Sequence, residues 1–258
     1  MFKPARKIST KQLSKSYYHA VFKLVEPLDA HPKPLQFINI WVPGVDEVPM
    51  SISQYSKDEN TLSILFKVVG EGTRALRDKQ GYFGVKGPLG NGIDLEGYRR
   101  VLYIAGGTGI APLPLLLKVA EELGVRVDVL WGVESSADLF DLASIAGLGM
   151  HALGDLMVSS EDCSAGYCGT VVELLSHVAS QGLAHEVAIA VGPKPMLSKV
   201  CRILRGKLDA YVSLEALVKC GLGACGSCVL KPLSLLLCRN GPVFRCEDVE
   251  AHLEYSEN

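Results

Sequence analysis

The sequence predicts two fold classes in one chain: an all-β antiparallel barrel, then a parallel α/β nucleotide-binding unit, closed by a small cysteine-bearing unit. Three observations carry this expectation. Short apolar runs separated by turn residues fill the stretch from about 15 to 87, with no long helix between them, the mark of a small antiparallel barrel. From Arg99 the runs alternate with helical stretches, which makes a parallel sheet with right-handed crossovers. From residue 209 onward Cys220, Cys225, Cys228, Cys238 and Cys246 crowd into a short segment. The expected units are 1–95, 96–208 and 209–258.

Length and composition set the frame. A chain of 258 residues holds about two domains by length alone. It is 48% hydrophobic and 21% charged, enough for a sizeable core. A net charge of −2 leaves no electrostatic footprint for nucleic acid. The basic start from Met1 to Lys7 is followed by no apolar stretch of signal-peptide type. No apolar run approaches the roughly 18 residues of a membrane span. Cysteines without a secretory signal point to thiols and metal in a cytoplasmic protein. Internal repeats and low-complexity segments are absent from the sequence.

In the first unit, strands are expected at 19–26, 35–42, 50–53, 61–69 and 82–86. Pro32, Pro34, Pro43-Gly44 and 57–60 supply the turns between them. Within 61–69, Leu62, Ile64, Phe66 and Val68 alternate with their neighbours at strand period. Gly70-Glu71-Gly72-Thr73-Arg74 then places a glycine turn before a short helix. Free N–H groups at such a start hold a phosphate, or the segment is a plain strand-to-helix turn.

In the second unit, strands are expected at 101–105, 125–131, 155–159 and 186–191, with helices at 113–123, 168–179 and 193–204. Gly106-Gly107-Thr108-Gly109-Ile110-Ala111-Pro112 follows a buried strand and opens a helix. Val191-Gly192-Pro193-Lys194-Pro195-Met196 repeats the design later. Two such turns at the carboxyl ends of parallel strands lie where open α/β sheets bind ligands. Tight strand–helix packing also uses glycine, and the first turn is not the G-x-G-x-x-G fingerprint.

The third unit contains Cys220-Gly221-Leu222-Gly223-Ala224-Cys225-Gly226-Ser227-Cys228, with Cys238 ten positions on. The spacing C-x4-C-x2-C…C is the plant-type 2Fe–2S ligand pattern. Gly221, Gly223 and Gly226 permit positive φ, so backbone amides can turn toward cluster sulfurs. Four thiolates also satisfy tetrahedral zinc, and disulfides are a further alternative.

The order of barrel, GGTGIAP, GPKPM and cysteine loop resembles the ferredoxin–NADP reductase superfamily. More closely, it resembles the electron-transfer subunits of type B, NAD-dependent dihydroorotate dehydrogenases, over nearly the whole chain. The most specific parts are the cysteine loop and Cys238-Arg239-Asn240-Gly241-Pro242-Val243-Phe244. The resemblance implies FAD on the barrel, NAD on the α/β unit and a 2Fe–2S cluster on Cys220, Cys225, Cys228 and Cys238. The family's Arg-Pro-x-Ser flavin motif falls on Val48-Pro49-Met50-Ser51, so Pro49, Met50 and Ser51 are FAD residues and the arginine is missing. Leu65, Phe66 and Lys67 fall on the second flavin strand, and Gly72-Thr73 on the pyrophosphate turn. Without the arginine, Lys67, Arg74 and the turn amides are left to meet the pyrophosphate. Gly107, Thr108 and Gly109, with Gly192 and Pro193, are the expected NAD contacts. Val191 stands where many relatives carry a cysteine that approaches the nicotinamide, and the short gap from Cys228 to Cys238 implies a trimmed loop.

Glu134 follows the second strand, where NADPH-preferring members of the superfamily often place a base; a carboxylate there repels a 2′-phosphate and favours NAD. The remaining cysteines, Cys163, Cys168, Cys201 and Cys246, are expected as free or partly buried thiols; a Cys163–Cys168 disulfide is the alternative, in a thermophile-like cytoplasm. The resemblance makes the chain half an oxidoreductase, with no catalytic acid or base of its own. A partner dihydroorotate-oxidising subunit, in a hetero-oligomer expected to be a heterotetramer, passes electrons through the cluster and FAD to NAD⁺ in pyrimidine biosynthesis. The same architecture also serves as the reductase subunit of a sulfide dehydrogenase, a transhydrogenase or a hydrogenase. A non-redox zinc protein is the reading from a different class.

Overall fold

The structure is a computed structural model that describes residues 1–145 and 149–255. Three residues of the expected 96–208 unit and the last three of the 209–258 unit lie outside the described residues.

The first half is one antiparallel sheet of seven strands. They are β1 (Lys3–Gln12), β2 (Tyr17–Leu24), β3 (Phe37–Val42), β4 (Asp46–Ser51), β5 (Gln54–Ser56), β6 (Thr61–Lys67) and β7 (Gly81–Leu89). Their order is β4-β3-β7-β1-β2-β6-β5, and helix α1 (Glu71–Asp78) fills the β6–β7 connection. The sheet curls around Ala20, Phe22, Ile38, Ile40, Ile52, Leu62, Ile64, Phe66, Phe83 and Val85. Fully burying each large side chain contributes about 1.5–3 kcal/mol.

Strand β1 was not expected, for a physical reason. Its buried face holds Ala5 and Lys7, not a run of large apolar residues. Lys7 is only 3% exposed, and its ammonium donates to the Leu76 and Arg77 carbonyls at the end of α1, at 2.8 and 2.9 Å. A buried cation is tolerated there because the terminal carbonyls of a helix lack intrahelical partners.

The second sheet takes β8 (Arg100–Gly106), β9 (Arg126–Val133), β10 (Leu153–Ser160), β11 (Tyr167–Cys168), β12 (Val187–Val191), β13 (Asp209–Ser213) and, further on, β16 (Val243–Arg245). Its order is β11-β10-β9-β8-β12-β13-β16, parallel except for the β13–β16 pair. Helix α2 (Leu113–Leu123) buries Leu113, Leu115, Leu116, Leu117 and Ala120, then stops at Gly124, whose φ of 69° is left-handed. Helix α3 (Val171–Ser180) starts later than expected because Thr170 and Glu173 form a reciprocal capping box. Helix α4 (Lys194–Leu204) opens after Pro193.

The sheet crosses the boundary expected at 208/209, because β13 pairs in parallel with β12 from Asp209 to Ser213. The cysteine segment is therefore stitched into the nucleotide sheet by β13 and β16. Between them lie β14 (Val229–Leu230), β15 (Leu235–Leu236) and the short α5 (Leu237–Asn240), and α6 (Glu250–Glu254) follows β16. Cys228, Cys238, Leu237 and Phe244 share one core with Leu174, Ala190, Val200 and Val212. The expectation of four free thiols outside the cluster loop is corrected: Cys163 bonds Cys168 across a tight loop, and Cys201 on α4 bonds Cys246.

Candidate functional site

The site begins on the barrel. Pro49, Met50 and Ser51 lie on β4 at the sheet edge, where a proline costs no ladder bond. Leu65, Phe66 and Lys67 end β6. The chain then turns into α1, and the Thr73 hydroxyl accepts from the amides of Val69 and Gly70 at 2.9 and 3.1 Å. That bond shapes the turn and leaves the next amides at the helix start unpaired. Gly72 lies against Val48, so close that a Cβ there would meet the Val48 Cγ1 at 2.9 Å. Lys67 is already answered: its ammonium sits 3.0 Å from Asp138 and 4.8 Å above the Tyr17 ring. The other cation expected at the pyrophosphate, Arg74, is exposed at the turn.

The second wall comes from the nucleotide sheet. From β8 the chain proceeds to β9 and β10 on one side, then crosses to β12 on the other. The switch point therefore lies between the carboxyl ends of β8 and β12, where open α/β sheets bind ligands. Gly107, Thr108 and Gly109 follow the first strand and Gly192-Pro193 the second. These turns touch. A Cβ on Gly109 would collide with the Val191 carbonyl, and one on Gly192 would press on Met196. Ser53 ties the barrel to this turn by donating to the Ala111 carbonyl at 2.7 Å.

Barrel and sheet together enclose a cleft of about 450 Å³. Its walls include the expected Pro49, Met50, Ser51, Leu65, Phe66, Lys67, Thr73 and Thr108, joined by Val191. Gly72, Gly107, Gly109, Gly192 and Pro193 are not among the lining residues, although each belongs to a turn next to one. The cleft also contains residues that sequence reasoning missed, Glu215 and the pair Leu237 and Pro242 on either side of Cys238-Arg239-Asn240-Gly241. A lone carboxylate in the apolar approach to the cysteine loop was the available signal for Glu215. The size and mostly apolar lining suit a flat cofactor ring, and the free amides before α1 suit its phosphates. The residues present fit FAD.

The four expected ligand cysteines come together as two pairs. Strands β14 and β15 pair antiparallel, Val229 with Leu236, so the short gap closes as a hairpin. Cys228 and Cys238 stand at its open end with sulfurs 3.4 Å apart and both buried. Cys220 and Cys225 hydrogen-bond one another at the outer edge, where Cys225 is exposed. Gly221, Gly223 and Gly226 have φ of 65°, 76° and 74°, the left-handed region closed to most side chains. Their curvature turns the Leu222, Cys225 and Ala224 amides onto the Cys220 sulfur, lowering its pKa to about 6. Burial pushes the Cys238 thiol up to about 11. Two thiol pairs with converging amides fit a two-iron cluster, two ligands to each iron. Among the described residues no three His, Cys, Asp or Glu side chains close on a single ion.

Polar ties hold the loop against the barrel. Asn39, fully buried in the apolar strand β3, donates to the Lys219 carbonyl at 2.9 Å and to Glu47 at 3.2 Å. Asn91 donates to the carbonyls of Arg239 and Asn240. Cys246, the remaining cysteine of this segment, is bonded to Cys201.

Comparisons with known proteins agree with this geometry. Residues 215–250 match the family described as the iron–sulfur cluster binding domain of dihydroorotate dehydrogenase B. A protein of Methanocella arvoryzae named a probable dihydroorotate dehydrogenase B (NAD(+)), electron transfer subunit, is 36% identical over 219 residues, which are 83% of this chain and 80% of that one. The Fusobacterium nucleatum protein of the same designation is 33% identical over 84% of this chain and 86% of its own. Among solved structures, an NADH-dependent reduced ferredoxin-NADP oxidoreductase studied for flavin-based electron bifurcation superposes with a TM-score of 0.80. It is 24% identical and covers 94% of this chain and 88% of that one, a likeness of fold. With relatives of this identity matched over most of their length, the chain belongs to the family of dihydroorotate dehydrogenase B electron-transfer subunits.

Proposed function

We propose that this chain carries electrons between a partner dihydroorotate-oxidising subunit and NAD⁺, holding FAD in the cleft and a 2Fe–2S cluster on Cys220, Cys225, Cys228 and Cys238. One observation carries the reading: Leu237, the neighbour of Cys238, forms part of the cleft wall that also includes Phe66 and Thr108. The ligand segment, the flavin strand and the nucleotide turn thus share one cavity. When bound, FAD supplies the chemistry that connects two-electron hydride exchange with one-electron transfer. The chain's own residues bind and insulate. Pro49, Met50, Ser51, Leu65 and Phe66 seat the ring, and Gly72 and Thr73 present amides to its phosphates. Gly107, Thr108, Gly109, Gly192 and Pro193 admit the nucleotide from the opposite wall, with its nicotinamide at Val191. In this reading the carbon chemistry belongs to the partner subunit.

Glu134 favours NAD over NADP in this reading. The Asp162 amide donates to the Glu134 carbonyl at 3.1 Å, which fixes the backbone of the loop that carries Glu134. The exposed Leu217 and Leu222 beside the cysteine loop suit the partner's face, in an assembly we take to be a heterotetramer. No helix among the described residues is long and apolar enough to cross a membrane; we place the assembly in the cytoplasm, without nucleic-acid or membrane partners.

The test is co-purification from the native host, followed by assay of the pair. Dihydroorotate-dependent formation of NADH by the complex, absent from either chain alone, is the expected result. The fold likeness to a bifurcating oxidoreductase favours one second reading, a transhydrogenase-type reductase subunit. NADH formation from reduced ferredoxin or NADPH, with none from dihydroorotate, would select it.

A further inference from the structure

The two disulfides outside the cluster loop differ in exposure and in the length of chain they close. Cys201 is buried on α4, and its bond to Cys246 spans a sequence separation of 45. That suits a staple, because a longer closed loop constrains the unfolded chain more. Cys163 and Cys168 are both exposed, and their bond spans a separation of only 5. It crosslinks a turn already closed by the Cys163 and Gly169 amides, which donate to the Ser160 carbonyl at 3.1 and 3.0 Å. Stability is therefore a weak reason for it. In a reducing cytoplasm an exposed disulfide is open to thiolate attack, and such bonds are mostly transient or redox-sensing.

The position of this turn gives it something to control. Strands β9 and β10 end side by side, Val133 opposite Ser160, on the carboxyl edge where open α/β sheets bind ligands. The chain leaving β10 braces the chain leaving β9 through three bonds. The Glu161 amide donates to the Val133 carbonyl and the Asp162 amide to the Glu134 carbonyl, both at 3.1 Å. The Ser164 hydroxyl accepts from the Ser136 amide at 2.7 Å. Cys163 sits in the middle of that brace with a φ of 62°, a left-handed conformation uncommon for side-chain-bearing residues. The bond to Cys168 helps to hold it there. Once the sulfurs part, Cys163 is free to return to ordinary backbone, and Asp162 and Ser164 move with it.

We propose that Cys163 and Cys168 form a redox-active thiol–disulfide site, and that its reduction by a cellular dithiol weakens nucleotide binding by releasing the 133–136 turn. A thiolate of the dithiol attacks one sulfur of the pair, so that the Cys163–Cys168 bond breaks and a mixed disulfide forms. The second thiol of the reductant then displaces the protein sulfur. Two electrons and two protons pass to Cys163 and Cys168, and the dithiol leaves as a disulfide. Oxidation by a disulfide reverses the sequence. The inference rests on the reading of this sheet edge as the nucleotide site, and goes beyond it by making affinity depend on thiol state.

The experiment uses the FAD-loaded full chain, equilibrated anaerobically in glutathione buffers poised across the cytosolic range. Mass-mapped alkylation counts the thiols at Cys163 and Cys168, and titration gives the dissociation constants of NAD⁺ and ADP-ribose in each buffer. The pair should pass from disulfide to dithiol within that range. Both constants should then rise together about fivefold, the low end of coupling between linked sites, because the two probes share the ADP-ribose half. FAD retention should not change. The double variant Cys163→Ser/Cys168→Ser should bind both probes with the weaker constant in every buffer. A pair that stays oxidised throughout overturns the proposal, since the bond is then structural. A change below about twofold on reduction, or a double variant that still responds to the buffer, overturns it as well. Loss of FAD in step with the probes, or a shift for NAD⁺ without one for ADP-ribose, would do the same by placing the effect elsewhere. If the unmodified chain binds neither probe in any buffer, the nucleotide reading falls and takes the proposal with it.

Discussion

Replacing Asn39 by alanine tests whether the barrel positions the cysteine loop. The side chain is fully buried and its amide donates to the Lys219 carbonyl, one residue before Cys220, and to Glu47. Removing it takes the donor from the part-buried Lys219 carbonyl, at a cost of about 1–3 kcal/mol. Glu47 keeps Lys86 at 3.1 Å, so its loss is about 1 kcal/mol, an ordinary net hydrogen bond. Against this, the Asn39 carbonyl oxygen has no hydrogen-bond partner, and deleting it returns about 1 kcal/mol. The net expectation is a destabilisation of about 1–3 kcal/mol, well within the range of point substitutions. The assay is urea unfolding followed in parallel by flavin fluorescence and by cluster absorbance. Cluster loss should precede barrel unfolding in the variant, because the severed bond joins the two. A variant whose cluster survives as long as in the unmodified chain, with a midpoint change below about 0.5 kcal/mol, would refute the reasoning.

Three further expectations follow from the same geometry. Val48→Arg brings a guanidinium to the turn at Gly72 and should tighten FAD retention on dilution by about 1.5–3 kcal/mol, the scale of a hydrogen bond to a charged group; unchanged affinity would mean that Lys67 leaves Asp138 to meet the pyrophosphate. Glu134→Arg should narrow the preference of flavin reduction for NADH over NADPH, and equal rates in the unmodified chain would dismiss the assignment. Burial alone would push the Asp128 carboxyl up, but the Asp155 amide, Arg100, His185 and Arg126 outweigh it and hold the group at about 2. A folded pKa below the unfolded value stabilises above about pH 4 and loses that stability as the pH falls toward 2, about 2 kcal/mol in all. Asp128→Asn should flatten that part of the stability profile in denaturant melts; an unaltered slope would show that other carboxylates set it.

Much of this site was legible before the fold was known, and the part that was not has common causes. The glycine turns at 106–109 and 191–193 and the spacing of Cys220, Cys225, Cys228 and Cys238 are local signals, because neighbouring residues must adopt special backbone to do their work. Strand β1 was hidden because its buried positions are Ala5 and Lys7, and the partner that satisfies Lys7 lies some seventy residues away on α1. The Cys201–Cys246 pairing and the entry of β13 into the parallel sheet are long-range facts of topology. Glu215 and Asn39 acquire meaning from what the fold sets opposite them: an open cleft for one and the Lys219 carbonyl for the other. Lys67 lines the cleft, and its ion pair with Asp138 joins residues far apart in sequence that only the fold brings together.

The central claim is that one chain joins a two-iron cluster to a flavin that exchanges electrons with NADH, with Cys238 as the ligand outside the tight loop. The most direct test is iron, zinc and flavin analysis of anaerobically purified protein, with paramagnetic resonance spectra before and after NADH, for the unmodified chain and for Cys238→Ser and Cys246→Ser. The account predicts one FAD and one two-iron cluster in the unmodified chain, with NADH bleaching the flavin and raising the signal of a reduced cluster. Cys238→Ser should keep the flavin and its bleaching but lose the signal, whereas Cys246→Ser should keep both. A colourless zinc protein without flavin, or a cluster that survives the loss of Cys238 and vanishes with Cys246, would contradict it.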